Sequence, residues 1–337
     1  MVIRTQAYAR AGLIGNPSDG YFGKTIALIV RNFRAEVTIY ESPRIEIRGG
    51  HRDRLHFESY AAFLQDVQLN GYYGGVRLIK AAIKRFSDWC GQHGIVLDRC
   101  FTIQYDTDVP VRVGLAGSSA IITATMRALM AFFQVDVPAP VLPGLILSVE
   151  LDELGIGGGL QDRVIQVYQG VVYMDFDRGF MEEHGHGRYE ALDPALLPPL
   201  FVAYHDNLAE GTELTHNHLR SRFNRGEPAV LEAIKTWAGM AGTARDLLLA
   251  GRGAEIGPLL NEAFDLRARL IRISPGNMEL VHRGRKLGAS TQFCGSGGAI
   301  VGVYDGDPAQ LERLKASYAE MGAQLLVPRI QPDPEER

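Results

Sequence analysis

Glycine-rich segments flanked by apolar runs are the part of this sequence best suited to chemistry. One of them consists of Gly114, Leu115, Ala116, Gly117, Ser118, Ser119 and Ala120. Glycines let the backbone approach an anion, and the helical stretch that follows would offer unpaired N–H groups at its start. A serine there can cap the helix or ligate a magnesium ion carried by phosphates. The pattern predicts a phosphate-binding loop, with a turn and a capped helix as the alternative. No Gly-Lys-Ser/Thr triplet follows, so it is not a Walker A loop.

Two further segments have the composition of ligand-binding loops. One, comprising Gly295, Ser296 and Gly297, stands between two apolar β-type runs. It is either a flexible hairpin or a second glycine loop that closes over phosphates. The other spans residues 10–19 at the end of the first predicted strand and ends in Gly15, Asn16, Pro17, Ser18 and Asp19. These residue types form turns, and loops at strand ends often bind ligands.

Hydrophobic periodicity places the elements that would position these loops. In the first half, strands are predicted at 2–8, 25–30, 34–40, 44–48 and 101–105, and helices at 58–69, 74–89, 118–133 and about 145–154. Three prolines at 193–200 interrupt both the helical and the strand periodicity, which predicts a domain boundary. Beyond it, strands are predicted at 201–204, 289–293, 299–304 and 323–328, and helices at 211–224, 228–250, 254–271, 277–287 and 308–321. This order predicts an α+β fold whose last part is an open-faced sandwich.

Bulk composition restricts the possible classes of protein. The 337 residues are 46% hydrophobic and 22% charged, as in ordinary globular proteins. A net charge of −4 shows no electrostatic footprint for nucleic acid or for an anionic membrane surface. Cys90, Cys100 and Cys294 lack the spacing of a zinc site or a disulfide framework. No apolar run reaches the roughly eighteen residues of a membrane span, and no signal-peptide core is present, so we expect a cytoplasmic protein.

Taken together, the three segments resemble the three motifs of the GHMP kinase superfamily, in the same order and context. Within that superfamily the chain resembles the plant-type glucuronokinases. The resemblance is carried by residues 15–26, 71–78, 105–110, 114–121, 153–164, 172–176 and 293–299. It implies a two-domain α+β architecture. A mixed α/β N-terminal domain would span residues 1–190, and a ferredoxin-like C-terminal domain would span residues 191–337.

The resemblance also implies roles for individual residues. The loops at 114–120 and 295–297 would hold the phosphates of ATP. Ser119 and Glu150 would bind Mg²⁺, with Glu153 as the alternative to Glu150 because the neighbouring stretch is rich in glycine. Asp162 would be the catalytic base, although its place before an apolar helix also suits a simple helix N-cap.

On the acceptor side, the resemblance assigns Arg10 to keep Asp162 ionised and to orient the anomeric hydroxyl. Asn16, Asp19 and Asp162 would contact the sugar, together with Arg10. Asn16 and Pro17 replace the Glu-His pair of galactokinases, which weakens galactose as a candidate. Any of four basic residues near the motifs could bind a carboxylate: Lys24, Arg77, Arg112 and Arg163.

The implied activity is that of an ATP-dependent phosphotransferase that converts D-glucuronate to its 1-phosphate. Its partners would be ATP, Mg²⁺ and a small sugar acid, with neither nucleic acid nor membrane. A kinase for galacturonate or for a neutral sugar is the nearest alternative. A catalytically silent regulator that binds nucleotide and sugar is the alternative from another class.

Overall fold

The computed structural model describes residues 1–50, 53, 59, 74–208 and 219–332. The predicted helix at 58–69 lies, but for residue 59, outside the described residues, as do Tyr72 and Tyr73 of the motif at 71–78. Of the predicted helix at 211–224, residues 219–224 are described and are helical. Among the described helices, none is both long enough and apolar enough to cross a membrane.

The first part of the chain forms a mixed layer of helices and one sheet. Its elements are β1 (Val2–Ile14), β2 (Lys24–Glu41), β3 (Glu46–Arg48), α1 (Gly75–Gln92), β4 (Phe101–Thr107), α2 (Gly117–Phe133), α3 (Leu142–Ser148), α4 (Gln161–Tyr168), β5 (Val171–Asp175), α5 (Arg178–His184) and β6 (Arg188–Leu192). The sheet has the order β3-β4-β2-β5-β6, and β1 pairs with the other edge of β2. β2 is therefore the central strand on which the layer is built.

Two strands predicted at 25–30 and 34–40 are one continuous strand, so this prediction was wrong. No turn-forming sequence separates them. Instead the pairing with β1 shifts register, from Tyr8 opposite Arg34 to Ala9 opposite Val30. The three residues between Val30 and Arg34 are absorbed as an irregularity of the strand rather than as a turn.

The helix predicted at about 145–154 begins and ends differently in the structure. α3 begins at Leu142, with Pro143 in its first turn, where a missing N–H costs no hydrogen bond. The helix then widens into a π-helical turn at Val149–Glu153. π-helical turns are often found at functional sites, and this one carries both candidate glutamates.

The second part of the chain forms an antiparallel sheet with helices on it. Its elements are β7 (Leu200–Tyr204), α6 (Pro228–Leu249), α7 (Gly257–Leu270), α8 (Pro275–Lys286), β8 (Ser290–Phe293), β9 (Ala299–Val303), α9 (Pro308–Glu320) and β10 (Gln324–Leu326). The strand order β10-β7-β9-β8, antiparallel throughout, is that of a ferredoxin-like sandwich, which confirms the predicted fold class. Aromatic side chains of α7, α9 and β8 fill one of its cores, among them Phe264, Phe293 and Tyr318.

The two sheets meet in one continuous apolar core. It contains Leu28 of β2, Val202 of β7 and Trp237 of α6, all fully buried. The first sheet ends at Leu192 and the second begins at Leu200, so the predicted boundary at 193–200 falls between them. Because this core crosses the boundary, the division into domains at residue 190 stays a prediction.

Candidate active site

The three glycine-containing segments converge on one cleft of about 360 Å³ between the two sheets. The cleft is lined by Arg10, Asn16, Asp19, Gly114, Leu115, Ala116, Gly117, Ser118, Glu150, Asp162, Gly295 and Ser296, all singled out from the sequence. Three other candidates are not among its lining residues, namely Ser119, Ala120 and Gly297. The backbone brings these distant segments together because β1 donates from Arg10 N to Leu115 O and from Gly12 N to Cys294 O.

The segment before α2 has the geometry of an anion-binding loop. Gly114 and Ala116 have φ values of +73° and +62°, and such left-handed residues turn successive N–H groups to one side. Ala116 is also the N-cap of α2, and no side chain caps that helix. The first N–H groups of this 17-residue helix therefore have no capping side chain, and Ala116, Gly117 and Ser118 at its start line the cleft.

The second glycine loop lies directly against the first. A Cβ added at Gly295 would come within 2.6 Å of Gly114 O, and one added at Gly114 would come within 2.9 Å of Gly297 O. Both positions therefore require glycine because of close backbone approach. The sequence alone left a flexible hairpin open for residues 295–297, and the geometry instead makes this loop part of the cleft wall.

Asp162 and Arg10 form an ion pair at the centre of the cleft. Arg10 Nε donates to Asp162 Oδ1 at 2.7 Å, and Arg10 Nη1 donates to Gly114 O at 2.6 Å and to Cys294 O at 2.9 Å. Burial alone would lower the pKa of Arg10, but the charge and hydrogen bond of Asp162 outweigh it and raise that pKa. The N-cap of α4 is Leu160, so Asp162 is not the helix cap that the sequence also allowed.

A second ion pair lies beside the first and includes Glu150. Arg163 Nη2 pairs with Glu150 Oε2, and Ser118 Oγ donates to Glu150 Oε1 at 2.8 Å. Arg163 Nη1 also lies 3.4 Å from Asp162 Oδ2. Burial, reinforced by the nearby Arg10 charge, lowers the pKa of Arg163 to about 9. The guanidinium is therefore still protonated at neutral pH.

The structure separates the candidates for metal binding. Glu150 lines the cleft, whereas Glu153 lies in a separate shallow pocket. There Glu153 Oε1 is 3.9 Å from Lys84 Nζ. Ser118 reaches Glu150, whereas the buried Ser119 donates its hydroxyl to Ala116 O at 3.1 Å. Among the described residues, no group of three or more His, Cys, Asp or Glu side chains could hold a metal. A paired hydroxyl and carboxylate still suit Mg²⁺, which completes its shell with phosphates and water.

The acceptor wall of the cleft is formed by Asn16 and Asp19. Asn16 is buried and donates from Nδ2 to Phe293 O at 3.2 Å. Asp19 Oδ2 accepts one long hydrogen bond, 3.4 Å, from the backbone N–H of Gln161. Burial, with the like charge of Asp162, raises the pKa of Asp19 to about 6. The Asp19 carboxylate is thus poorly compensated within the protein and can accept further hydrogen bonds from a ligand in the cleft.

The four basic candidates for a carboxylate-binding role have different surroundings. Lys24 does not line the cleft and pairs with Asp175 at 3.2 Å. Arg163 is occupied by two carboxylates, while Arg77 and Arg112 lie at the cleft lining. Two cleft residues outside this set, Gln161 and Arg267, were missed by the sequence analysis. Gln161 could have been found as the neighbour of Asp162, but Arg267 belongs to no motif.

Comparison with known proteins places this site in a class. Residues 77–170 match the family description "GHMP kinases N terminal domain". The chain is 38% identical to Glucuronokinase 1 of Arabidopsis thaliana over 98% of its own length and 92% of that protein's. Two solved structures share the fold across 98% of this chain. They are the Lin0012 protein of Listeria innocua (TM-score 0.78, 14% identity, 98% of its length) and the phosphomevalonate kinase of Streptococcus pneumoniae (TM-score 0.72, 16% identity, 99% of its length).

A glycine loop at a helix start suits phosphate binding, and a carboxylate beside it is placed to act as a base in phosphoryl transfer. The full-length similarity to a glucuronokinase then decides the family. The chain belongs to the GHMP kinases.

Proposed function

We propose that this protein is an ATP-dependent kinase that phosphorylates D-glucuronate on its anomeric oxygen. The observation that carries the proposal is the Arg10–Asp162 pair, in which the arginine also donates to Gly114 O of the first glycine loop and to Cys294 O, directly before the second. Through Arg10, the carboxylate of Asp162, the proposed base, is held beside the loop that would bind the phosphates. The 38% identity to Glucuronokinase 1 supports glucuronate as the acceptor.

In the proposed reaction, Asp162 accepts the proton of the anomeric hydroxyl as that oxygen attacks the γ-phosphorus. The bond from the γ-phosphorus to the β–γ bridging oxygen breaks, and ADP leaves. Phosphoryl transfer depends mainly on position and on charge stabilisation. The N–H groups at the start of α2 would bind the phosphates, and the hydrogen bond from Arg10 would hold Asp162 in its orientation.

Mg²⁺ would neutralise phosphate charge in this site. The resemblance assigns the metal to Ser119 and Glu150, but the geometry favours Ser118 with Glu150, because these two side chains are hydrogen-bonded and line the cleft. Glu150 is held in place by Arg163, which fixes the direction of its carboxylate.

We also propose that the protein is cytoplasmic. Its three cysteines, Cys90, Cys100 and Cys294, are all free, as is usual for proteins of a reducing compartment.

A substrate panel tests the proposal. We expect kcat/KM with ATP to be highest for D-glucuronate, compared with D-galacturonate, D-glucose and D-galactose under one condition. Phosphorus NMR should place the phosphate on the anomeric oxygen. Equal use of glucose would leave the proposed kinase activity standing and refute the specificity for a sugar acid. A product phosphorylated on another oxygen would refute the role given to Asp162. Failure to form ADP with any of these sugars would favour the silent regulator.

A further inference from the structure

Arg267 is a buried cation in the cleft wall that no motif accounts for. It lies on α7 with 7% of its surface exposed, and it lines the same cleft as Asp162. Its Nη1 donates to Gly295 O at 2.7 Å and its Nη2 donates to Asn16 O at 3.1 Å. Its guanidinium also lies over the ring of Phe293, 5.5 Å from the centroid. The group is therefore held rigidly by the backbone of one glycine loop and of the acceptor wall.

The charge of Arg267 is not neutralised by the part of the chain that the structure describes. The two other buried arginines of the cleft each pair with a carboxylate, Arg10 with Asp162 and Arg163 with Glu150. No ion pair joins Arg267 to any described carboxylate, although Asp19 is close enough to act on it through its charge. Burial lowers the pKa of Arg267 to about 10, so the guanidinium still carries its charge at neutral pH.

A buried charge without a counter-ion is costly, and it is tolerated where a ligand supplies the missing partner. Of the five N–H groups of a guanidinium, two are used here on backbone carbonyls, which leaves donors for an anion. Ile271 and Ile273 line the cleft as well, and apolar neighbours strengthen a charged hydrogen bond by excluding water.

We propose that Arg267 binds the carboxylate of the sugar-acid acceptor and thereby sets the preference for an acid over a neutral sugar. This inference rests on the proposed function. The reacting hydroxyl and the carboxylate stand at opposite ends of a hexuronate ring. Asp162 and Arg267 likewise lie in one cleft without contacting each other. Arg267 donates to Asn16 O of the acceptor wall as well as to Gly295 O of the second glycine loop, so it lies where the acceptor would meet the phosphates, and the ADP titration below separates these two anions.

The experiment compares D-glucuronate with D-glucuronamide, which keeps the ring and loses the charge. The wild-type enzyme should favour the acid by about 30-fold or more in kcat/KM, as for a buried charge-assisted pair. Arg267→Gln should bring this ratio close to one, by lowering kcat/KM for the acid and leaving the amide nearly unchanged. Arg269→Gln is the matched control, because it removes the same charge from an exposed position of the same helix and should keep the wild-type ratio.

Two results would overturn the inference: an unchanged ratio in Arg267→Gln, whether activity is kept or falls equally with both substrates, or the same loss of preference in Arg269→Gln. An equal loss would assign Arg267 to the ATP phosphates or to the fold, and an ADP titration separates those two cases. If Arg267→Gln does not fold, Arg267→Lys keeps the charge but loses the paired donors. It should raise KM for the acid, and an unchanged KM would refute the proposal. A wild-type enzyme that uses neither substrate would instead refute the proposed function.

Discussion

Replacing Asp19 by Asn should stabilise the fold while weakening the use of the sugar. Asp19 is half-buried and accepts one long hydrogen bond from the backbone of Gln161, so its negative charge is poorly compensated. Burial and the neighbouring Asp162 raise its pKa from 3.8 to about 6. The native state therefore holds the Asp19 proton more tightly than the unfolded state does. Ionisation of Asp19 destabilises the fold above pH 6, and this penalty is lost as the pH falls towards the unfolded-state value.

The size of the effect follows from the two pKa values. A difference of about two corresponds to about 3 kcal/mol in the free energy of unfolding at pH 7.5. Asp19→Asn removes the charge at every pH, so the variant should gain up to that amount at pH 7.5. The gain should shrink to about half at pH 5, where the folded wild-type protein has largely taken up its proton.

Urea unfolding at the two pH values measures this gain directly. Asp136→Asn, at an exposed position, is the control for loss of one charge and should change stability by no more than about 0.5 kcal/mol. Steady-state kinetics should show a higher KM for the sugar in Asp19→Asn and a similar KM for ATP. A variant no more stable than the wild type at pH 7.5 would show that the Asp19 carboxylate is compensated. A variant equally stabilised at both pH values would show that the gain does not come from the ionisation of Asp19.

Two further predictions concern turnover and metal. Asp162→Asn should lower kcat by about 10²- to 10⁴-fold in an ADP-release assay while ADP binding survives, and a rate within about tenfold of wild type would exclude Asp162 as the base. Ser118→Ala and Glu150→Gln should each raise the Mg²⁺ concentration needed for half-maximal rate, whereas Glu153→Gln should not. Ser119→Ala tests which serine binds the metal. If it shifts the Mg²⁺ dependence and Ser118→Ala does not, the ligand is Ser119, as the resemblance implies, and not Ser118, which the hydrogen bond to Glu150 favours.

Much of the phosphate side of the cleft could be predicted from the sequence because its signals are local. A glycine loop followed by serines and an apolar helix is readable within about ten residues, and so is Gly295–Gly297 between two apolar strands. The Arg10–Asp162 contact is different, since its partners are 152 residues apart. Spacing along the chain does not bring such residues together, and only the resemblance to a family suggested their roles.

Other features left no local signal. Glu150 and Glu153 have the same side chain within one helical run, and a π-helical turn changes which face of the helix each presents. Periodicity assumes a constant turn, so it cannot assign one glutamate to the cleft. β5, β6 and α5 are absent from the predicted elements: β6 and α5 are short and weakly patterned, and β5 is a short apolar run that periodicity does not assign to helix or strand. In the sequence, Arg267 cannot be told from other arginines in the last turn of a helix, because its burial depends on the tertiary fold.

The charges around the acceptor wall also connect stability with specificity. Three buried arginines of the described cleft, Arg10, Arg163 and Arg267, face the three carboxylates Asp19, Glu150 and Asp162. Two of the carboxylates are held in ion pairs, and the third, Asp19, acts on Arg267 only through its charge, without an ion pair. An incoming carboxylate that pairs with Arg267 meets this like charge nearby, whereas the ring hydroxyls can donate to Asp19. If Arg267 binds the acid as proposed, the wall would select a ligand that places a carboxylate near Arg267 and hydroxyls near Asp19, and the unsatisfied Asp19 carboxylate would contribute to that selection.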